Sequence, residues 1–269
     1  MDKIIVLGTG TASATKCYNT CFAMQSGEEY FLVDGGGGNA ILTQLEHAKI
    51  NIFKIRKIFV SHSHTDHILG IVWIIRKICI MVRDGVEFKE KFNIFASRKT
   101  INSLKMLLNI LFTYKDIRYV KDYILFTKVR SGNKIEWRGN DIMFFDILSK
   151  KNQQFGFQVK LIDGALTFAG DEQLHEKLFD LARDSKWLLH EVYCMNKDIE
   201  KARTANHCTT EIASKIAANL NVKNLVVWHT TDDDLINRQR KYIAEISENF
   251  GGKIFVPNDL DVLDLKEIV

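Results

Sequence analysis

Four potential metal ligands lie within one short stretch of the sequence. His62, His64, Asp66 and His67 span six residues, although the whole chain holds only eight histidines. Imidazole nitrogens and carboxylate oxygens are ligands that suit zinc, iron or manganese. The stretch therefore predicts a metal site, and the alternative is a polar surface loop that happens to hold three histidines.

The segments on either side of this stretch determine where its ligands lie. Arg56–Val60 is apolar enough to predict a buried strand, and 68–82 has the composition of a buried helix. The ligands would then lie on the loop that joins the strand to the helix. On such a loop His62 and His64 can point one way while Asp66 and His67 point another.

The pattern H-x-H-x-D-H resembles the signature of the metallo-β-lactamase superfamily. Other segments resemble ribonuclease Z-type members in chain order, between Lys3 and about Asp264. These segments are Leu7-Gly8-Thr9-Gly10-Thr11-Ala12 with Asn19, Val33-Asp34-Gly35-Gly36-Gly37, Phe168-Ala169-Gly170-Asp171, His190-Glu191-Val192, Asn206-His207-Cys208-Thr209 and Val226-Val227-Trp228-His229. His190-Glu191-Val192 is similar to the "HEAT" motif of that branch, and Asn206-His207-Cys208-Thr209 is similar to its "AHST" motif.

The resemblance implies a fold and a set of metal ligands. The fold would be α/β (α+β), a four-layer αββα sandwich, with residues 1–269 forming one domain. Two divalent metal ions would be bound, with zinc as the leading metal and manganese or iron as alternatives. The first ion would be bound by His62 and His64, the second by Asp66, His67 and His229, and Asp171 would bridge the two.

The resemblance also implies catalytic roles. His207 would donate a proton to the leaving oxygen, and Glu191 would hold its tautomer, with His190 as the nearby partner of that pair. Asp66 would belong to the catalytic set as well as to the metal ligands. Asp34 would hydrogen-bond to a metal ligand and so orient it. The glycines Gly35–Gly38 would allow the backbone to pack closely behind the loop that holds the ligands.

One departure from the family pattern concerns the first metal ion. The family has a further metal histidine between the signature and the bridging aspartate, whereas this chain has no histidine between Ile68 and Leu174. Leu148 stands where that histidine is expected, and Lys150 is the alternative if the register is shifted. Asp146 could substitute as a ligand, and without it the first site is weakened.

A second departure concerns the substrate. Ribonuclease Z proteins carry a long tRNA-gripping arm before the bridging aspartate, but only 22 residues (149–170) lie there in this chain. These residues are accounted for by two strands and a turn, so the arm is absent. We therefore expect small or single-stranded phosphodiester substrates and disfavour tRNA.

Composition sets weaker bounds on the function. The net charge of +4 neither requires nor excludes a nucleic-acid partner. Five cysteines without a C-x-x-C motif predict reduced thiols in a cytoplasmic protein rather than a disulfide framework. No segment reaches the ~20 apolar residues of a membrane span. The sequence leaves open whether the protein forms a homodimer.

The rest of the chain predicts alternating strands and helices, which alone supports only α/β or α+β. Further helices are expected at 40–47, 98–112, 172–184, 209–220 and 235–249. Residues 117–137 are predicted as a solvated strand edge, with a basic phosphate-contacting surface as the minor alternative. His47 and His175 are interpreted as surface residues.

Three functions remain in competition. The leading one is a metal-dependent hydrolase, a ribonuclease Z-like phosphodiesterase whose activity could be reduced by Leu148. The second is a hydrolase of a carbon ester, thioester or lactam on the same fold, which the His190-Glu191 and His207 motifs disfavour. The third is a catalytically dead member that binds a nucleotide or a partner, which Leu148 favours.

Overall fold

The computed structural model describes residues 1–266 and contains two seven-stranded sheets. The strands, in chain order, are β1 (Lys3–Gly8), β2 (Cys21–Ser26), β3 (Glu29–Val33), β4 (Ile55–Val60), β5 (Phe92–Ala96), β6 (Ile124–Lys128), β7 (Lys134–Trp137), β8 (Asn140–Asp146), β9 (Phe155–Leu161), β10 (Gly164–Phe168), β11 (Trp187–Glu191), β12 (Asn224–Trp228), β13 (Lys253–Phe255) and β14 (Val262–Asp264). The strand predicted at Arg56–Val60 is present as β4, which begins one residue earlier.

The α-helices alternate with these strands. They are α1 (Ala40–His47), α2 (Thr65–Arg83), α3 (Arg98–Leu111), α4 (Tyr114–Tyr123), α5 (Phe179–Ala182), α6 (Ile199–Ala205), α7 (Thr210–Asn219) and α8 (Leu235–Ser247). Short 3-10 helices cover Ile52–Lys54, Glu176–Leu178 and Asn196–Asp198. Over the described part of the chain, no helix combines the length and the apolar character needed to cross a bilayer.

Unit one is compact and consists of residues 1–8, 18–129 and 259–266. Its sheet has the order β14-β1-β2-β3-β4-β5-β6, and β3 to β6 run parallel. Leu32 and Ile58 of the sheet belong to the same buried cluster as Ile71, Ile75 and Leu104 of the helices. The helices that follow the parallel strands therefore cover one face of the sheet, as buried parallel strands require.

Unit two consists of residues 9–17 and 130–258. Its sheet has the order β13-β12-β11-β10-β9-β8-β7, antiparallel from β7 to β10 and parallel from β10 to β13. Leu188 and Val227 pack in one buried cluster with Ala217, Tyr242 and Ile246 of the helices. The parallel half of the sheet is thus the half that carries the helices.

Two glycines in unit one let two backbone segments touch. A Cβ atom added to Gly70 in α2 would lie 1.7 Å from the carbonyl oxygen of Gly35. The Gly70 amide donates to the carbonyl of Gly36 at 2.8 Å, and the Gly35 amide donates to that of His67 at 2.9 Å. The predicted role of the glycine run, close packing behind the histidine stretch, is therefore confirmed.

The helices of unit one differ from the prediction at two places. Helix α2 begins at Thr65 rather than Ile68, so Asp66 and His67 lie in its first turn and not on a loop. An acidic side chain in the first turn is favoured because it faces the positive end of the helix dipole. Residues 114–123 form a helix rather than a strand edge, with a capping box between Thr113 and Asp116 at its start.

The predicted helix over 172–184 is largely absent. The amide of Leu174 donates to the ring of His190 at 3.1 Å, which holds this segment out of a helical path. His175 then accepts from the amide of Lys177 and starts the short 3-10 helix. Helix α6 was not predicted either, because its seven residues hold only one buried side chain, Ala202.

The glycine contact generates a stability prediction. We expect Gly70→Ala to lower the free energy of unfolding by about 3 kcal/mol, because its methyl group meets backbone that cannot move aside. Gly38→Ala is the matched control, since nothing lies within 4 Å of its added Cβ, and its effect should stay within about 0.5 kcal/mol. Urea denaturation measures both, and equal effects would contradict the close approach.

Candidate metal centre

Asp34 organises the carboxyl ends of two parallel strands in unit one. It follows β3 with a positive φ of 59° and is buried. Its Oδ1 accepts from the Ser61 amide at 2.8 Å, and its Oδ2 accepts from the Ser61 hydroxyl at 2.7 Å. Oδ2 also lies 2.8 Å from Nδ1 of His67. Asp34 therefore fixes the start of the histidine stretch and one of its rings, as the sequence predicted.

The three histidine rings of the stretch converge. Nε2 of His62 lies 2.8 Å from Nδ1 of His64, and the ring centroids of His62 and His67 are 4.2 Å apart. His62 is fully buried. These two imidazole nitrogens face the same point. A divalent cation bound there would replace the proton that the two rings otherwise share.

Asp66 and His67 follow within the first turn of α2. Their side chains are buried, and Nε2 of His67 lies 3.3 Å from Oδ2 of Asp66. Because Asp34 occupies Nδ1 of His67, Nε2 is the nitrogen left for a ligand role. Unit one thus brings together all four ligands that the sequence predicted for it.

Unit two brings its own predicted ligands to the carboxyl ends of its parallel strands. Asp171 follows β10 by three residues and His229 directly follows β12, with a positive φ of 54°. Oδ1 of Asp171 lies 2.8 Å from Nδ1 of His229, and both side chains are buried. Asp171, His207 and His229 each offer one ligand atom, and these atoms lie within 4.8 Å of one another.

His207 is held between a carboxylate and an aromatic ring. Its Nδ1 lies 3.5 Å from Oε2 of the fully buried Glu191, whose Oε1 accepts from the amide of Cys208 at 2.7 Å. The Tyr193 ring stacks on His207 with a centroid distance of 5.1 Å and an interplanar angle of 4°. The predicted pairing of Glu191 with His207 is therefore present. Tyr193 was missed, although it lies only two residues after Glu191.

His190 is not a partner of the Glu191 carboxylate and His207, contrary to the sequence prediction. Its Nε2 accepts from the Leu174 amide, and its Nδ1 lies 2.6 Å from the backbone carbonyl of Glu191. Burial lowers the pKa of His190, because the charged ring would lose its hydration. His190 is a neutral core residue that anchors the segment after Asp171.

A cavity of about 480 Å³ opens beside His207 within unit two. Leu148, Lys150 and Glu172 line it together with His207. Strand β8 ends at Asp146, and Leu148 follows with a positive φ of 65° and a side chain that is 41% exposed. The Asp146 carboxylate accepts from the Leu148 amide at 2.8 Å, so it stabilises this turn.

Glu172 was also missed by sequence reasoning, although it directly follows Asp171. Its Oε1 accepts from the Ser149 hydroxyl at 2.6 Å and from the side-chain amide of Gln154 at 3.3 Å. Partial burial raises the pKa of this carboxyl group.

The cysteines take no part in these clusters as nucleophiles. All five are free, and four of them, Cys21, Cys79, Cys194 and Cys208, are buried. Burial raises the pKa of the Cys21 and Cys208 thiols well above the ordinary value. Such thiols are inert at neutral pH.

The environment of His190 generates a prediction about its protonation. Its ring should stay neutral, with the proton on Nδ1, at pH values below its ordinary pKa of about 6.5. Because the unfolded chain then binds a proton that the folded chain does not, the free energy of unfolding should fall as the pH decreases from that value. Nitrogen NMR shifts of the ring report the tautomer directly. A proton on Nε2, or a ring that titrates at or above the ordinary histidine pKa, would contradict the assignment.

Comparison with known proteins agrees with this geometry. The chain is 24% identical to ribonuclease Z of Thermococcus sibiricus over 314 residues, covering 99% of this chain and 97% of that protein. It is similar in structure to the metallo-β-lactamase fold protein YhfI from Bacillus subtilis, with a TM-score of 0.81, 17% identity and coverage of 98% and 99% of the two chains. The short form of human tRNase Z gives a TM-score of 0.75, 18% identity and coverage of 98% and 100%.

These likenesses confirm the metallo-β-lactamase fold and the ribonuclease Z-like resemblance that the motifs predicted. A family model described as "Anti-Pycsar protein Apyc1" matches residues 2–239, which is most of the chain. The chain therefore belongs to the Anti-Pycsar protein Apyc1 family.

Proposed function

We propose that the chain is a metal-dependent phosphodiesterase related to ribonuclease Z. The metal ligands are those that the family resemblance implies, namely His62, His64, Asp66, His67, Asp171 and His229. The observation that carries the proposal is the stacked, carboxylate-paired His207 beside the Asp171 and His229 pair. A proton donor placed beside metal ligands suits a leaving alkoxide, which must be protonated.

The donor sets of both units fit divalent cations. Imidazole and carboxylate groups without a thiolate suit zinc, with manganese or iron as alternatives. Bound ions would supply a hydroxide at neutral pH and neutralise the phosphoryl oxygens. The five free thiols support a reducing, cytoplasmic setting.

The protein's own residues orient the ligands and move the proton. Asp34 accepts from Nδ1 of His67 and so presents Nε2 as a ligand atom. Glu191 faces Nδ1 of His207 and favours the tautomer with its proton there. In the cationic form His207 then gives the proton on Nε2 to the leaving oxygen, which is a general-acid step. Tyr193 keeps the ring in that orientation by stacking.

The substrate is proposed to be a small or single-stranded phosphodiester rather than tRNA. Between β8 and Asp171 the chain forms only β9, β10 and tight connections, so no arm extends from this segment. Without a remote grip on a folded RNA, the binding energy has to come from groups close to the reacting phosphate.

The proposed ligand set is tested by removing one histidine. His229→Ala should lower the bound metal and the turnover of bis(p-nitrophenyl) phosphate by more than the roughly 10–100-fold that an outer-shell change costs. His47→Ala is the matched control, because His47 is exposed at the end of α1. Elemental analysis and a colorimetric assay measure both. Unchanged metal content in His229→Ala would remove His229 from the site.

Leu148 generates a prediction about the first ion. An isobutyl group cannot coordinate a cation, so we expect sub-stoichiometric metal and reduced activity in the unaltered chain. Leu148→His should raise metal content and rate, and histidine tolerates the positive φ at this position better than leucine does.

Lys150→His is the control for a shifted register, because Lys150 lines the same cavity. Two tightly bound ions in the unaltered chain, with no gain from either substitution, would show that another residue completes the first site.

A further inference from the structure

Arg238 carries a buried positive charge in unit two, where the whole residue is only 2% exposed. Its Nη1 donates to the hydroxyls of Thr230 at 2.8 Å and Thr9 at 3.1 Å. Its Nη2 donates to the carbonyl of Pro257 at 2.5 Å and to the side-chain oxygen of Asn258 at 3.2 Å. All four acceptors are neutral. Taking a cation out of water is costly when no counter-charge faces it, so packing alone does not account for an arginine here.

Two of the four acceptors belong to the turn that carries His229. Thr230 directly follows His229, and its amide donates to the Thr9 carbonyl at 3.0 Å. The Thr11 amide donates to the Thr230 carbonyl at 3.1 Å. Arg238 spans Thr9 and Thr230 a second time, through their hydroxyls. The two segments are therefore joined through their backbones and through their side chains.

The turn at His229 needs this support because its backbone is strained. His229 has a positive φ of 54°, a left-handed conformation that few residues other than glycine adopt. Its Nδ1 lies 2.8 Å from Oδ1 of Asp171. If the turn relaxed to a negative φ, the imidazole would leave the backbone in another direction and lose this contact. Such strain persists only where the surrounding contacts hold it.

We propose that Arg238 is a positioning residue that holds His229 in its ligand geometry by fixing Thr9 and Thr230 relative to each other. A guanidinium presents its donors in a rigid planar fork, so one side chain can set the positions of several acceptors at once. The flexible ammonium of a lysine cannot do this. Arg238 acts on His229 through Thr230. This inference rests on the proposed function, which makes His229 a metal ligand.

The test measures the zinc affinity of the full chain by competition with a chromogenic chelator, so that turnover is not involved. Arg238→Met removes the fork, and zinc affinity should fall by roughly 10–100-fold, as it does when a group that orients a metal ligand is lost. Arg238→Lys keeps the charge without the fork and should fall into the same range. Full zinc affinity in Arg238→Lys would show that charge and not geometry matters, and would contradict the proposal.

Ile246→Ala is the matched control for a loss of stability. Ile246 is fully buried and lies about two turns further along the same helix, α8. Its truncation leaves a cavity and should lower the urea midpoint of unfolding, but the zinc affinity of the folded protein should not change. The visible absorption of bound cobalt should likewise change in Arg238→Met and stay as it was in Ile246→Ala. Equal losses of zinc affinity in the two variants would show that metal binding follows stability, and would overturn the proposal.

Thr230→Val tests the same contact with a smaller change, and it serves if the Arg238 variants do not fold. Valine keeps the branched shape of threonine and removes only the hydroxyl that accepts from Arg238. Zinc affinity should fall by roughly 10-fold, the lower end of the same range. Thr230→Val should add no further loss to Arg238→Met, because residues that act through one contact are not additive. An unchanged affinity in Thr230→Val, or losses that multiply in the double variant, would contradict the proposal.

His229→Ala separates failure of this inference from failure of the proposed function. Suppose that His229→Ala loses metal, whereas Arg238→Met and Thr230→Val bind zinc as tightly as the unaltered chain. This inference alone would then be overturned. An unaltered chain that binds no zinc, manganese or iron would overturn both the proposed ligand set and the role of Arg238.

Discussion

The hydrogen-bond register of neighbouring parallel strands determines where each unit can do chemistry. In unit one, Val33 pairs with Phe59, so Asp34 and Ser61 emerge close together just beyond the sheet. In unit two, Glu191 pairs with Trp228, so Glu191 and His229 emerge at the same edge. Backbone amides beyond the last hydrogen bond between two strands can donate to side chains, and the buried carboxylates accept from them.

Burial makes these carboxylates dependent on their partners. Asp34 and Glu191 are almost fully buried, and a buried charge without hydrogen bonds would cost several kcal/mol. Asp34 accepts from the Ser61 amide and hydroxyl and faces His67, while Glu191 accepts from the Cys208 amide through Oε1 and faces the His207 ring through Oε2. The contacts that these buried carboxylates make therefore also hold the rings of His67 and His207 in place.

A buried arginine supports the His229 turn in a similar way. Arg238 donates to the hydroxyls of Thr9 and Thr230, to the carbonyl of Pro257 and to the side chain of Asn258. Thr230 follows His229, whose positive φ makes this turn strained for a side-chain residue. Through these four neutral acceptors, the guanidinium links the turn at His229 to the segments that hold Thr9 and Pro257.

The sequence predicted most of the strands, since their apolar runs are long and their ends carry the motif residues. The family resemblance of the motifs also implied the Asp34 contact and the pairing of Glu191 with His207, and both contacts are present. The stacking of Tyr193 and the fixed position of Glu172 were not predicted, since both depend on which side chains tertiary packing brings together. The helix at 114–123 was missed for a different reason. Its capping box is a local sequence signal, but the helix buries only Asp116 and Val120, so few buried positions mark it as a helix.

The central claim is that histidine and carboxylate groups, and no cysteines, bind metal in this chain. X-ray absorption at the metal edge of the purified protein tests it most directly. The account predicts a shell of nitrogen and oxygen at about 2.0–2.2 Å. A sulfur shell at about 2.3 Å, or protein that binds no metal when supplied with zinc, manganese or iron, would contradict it.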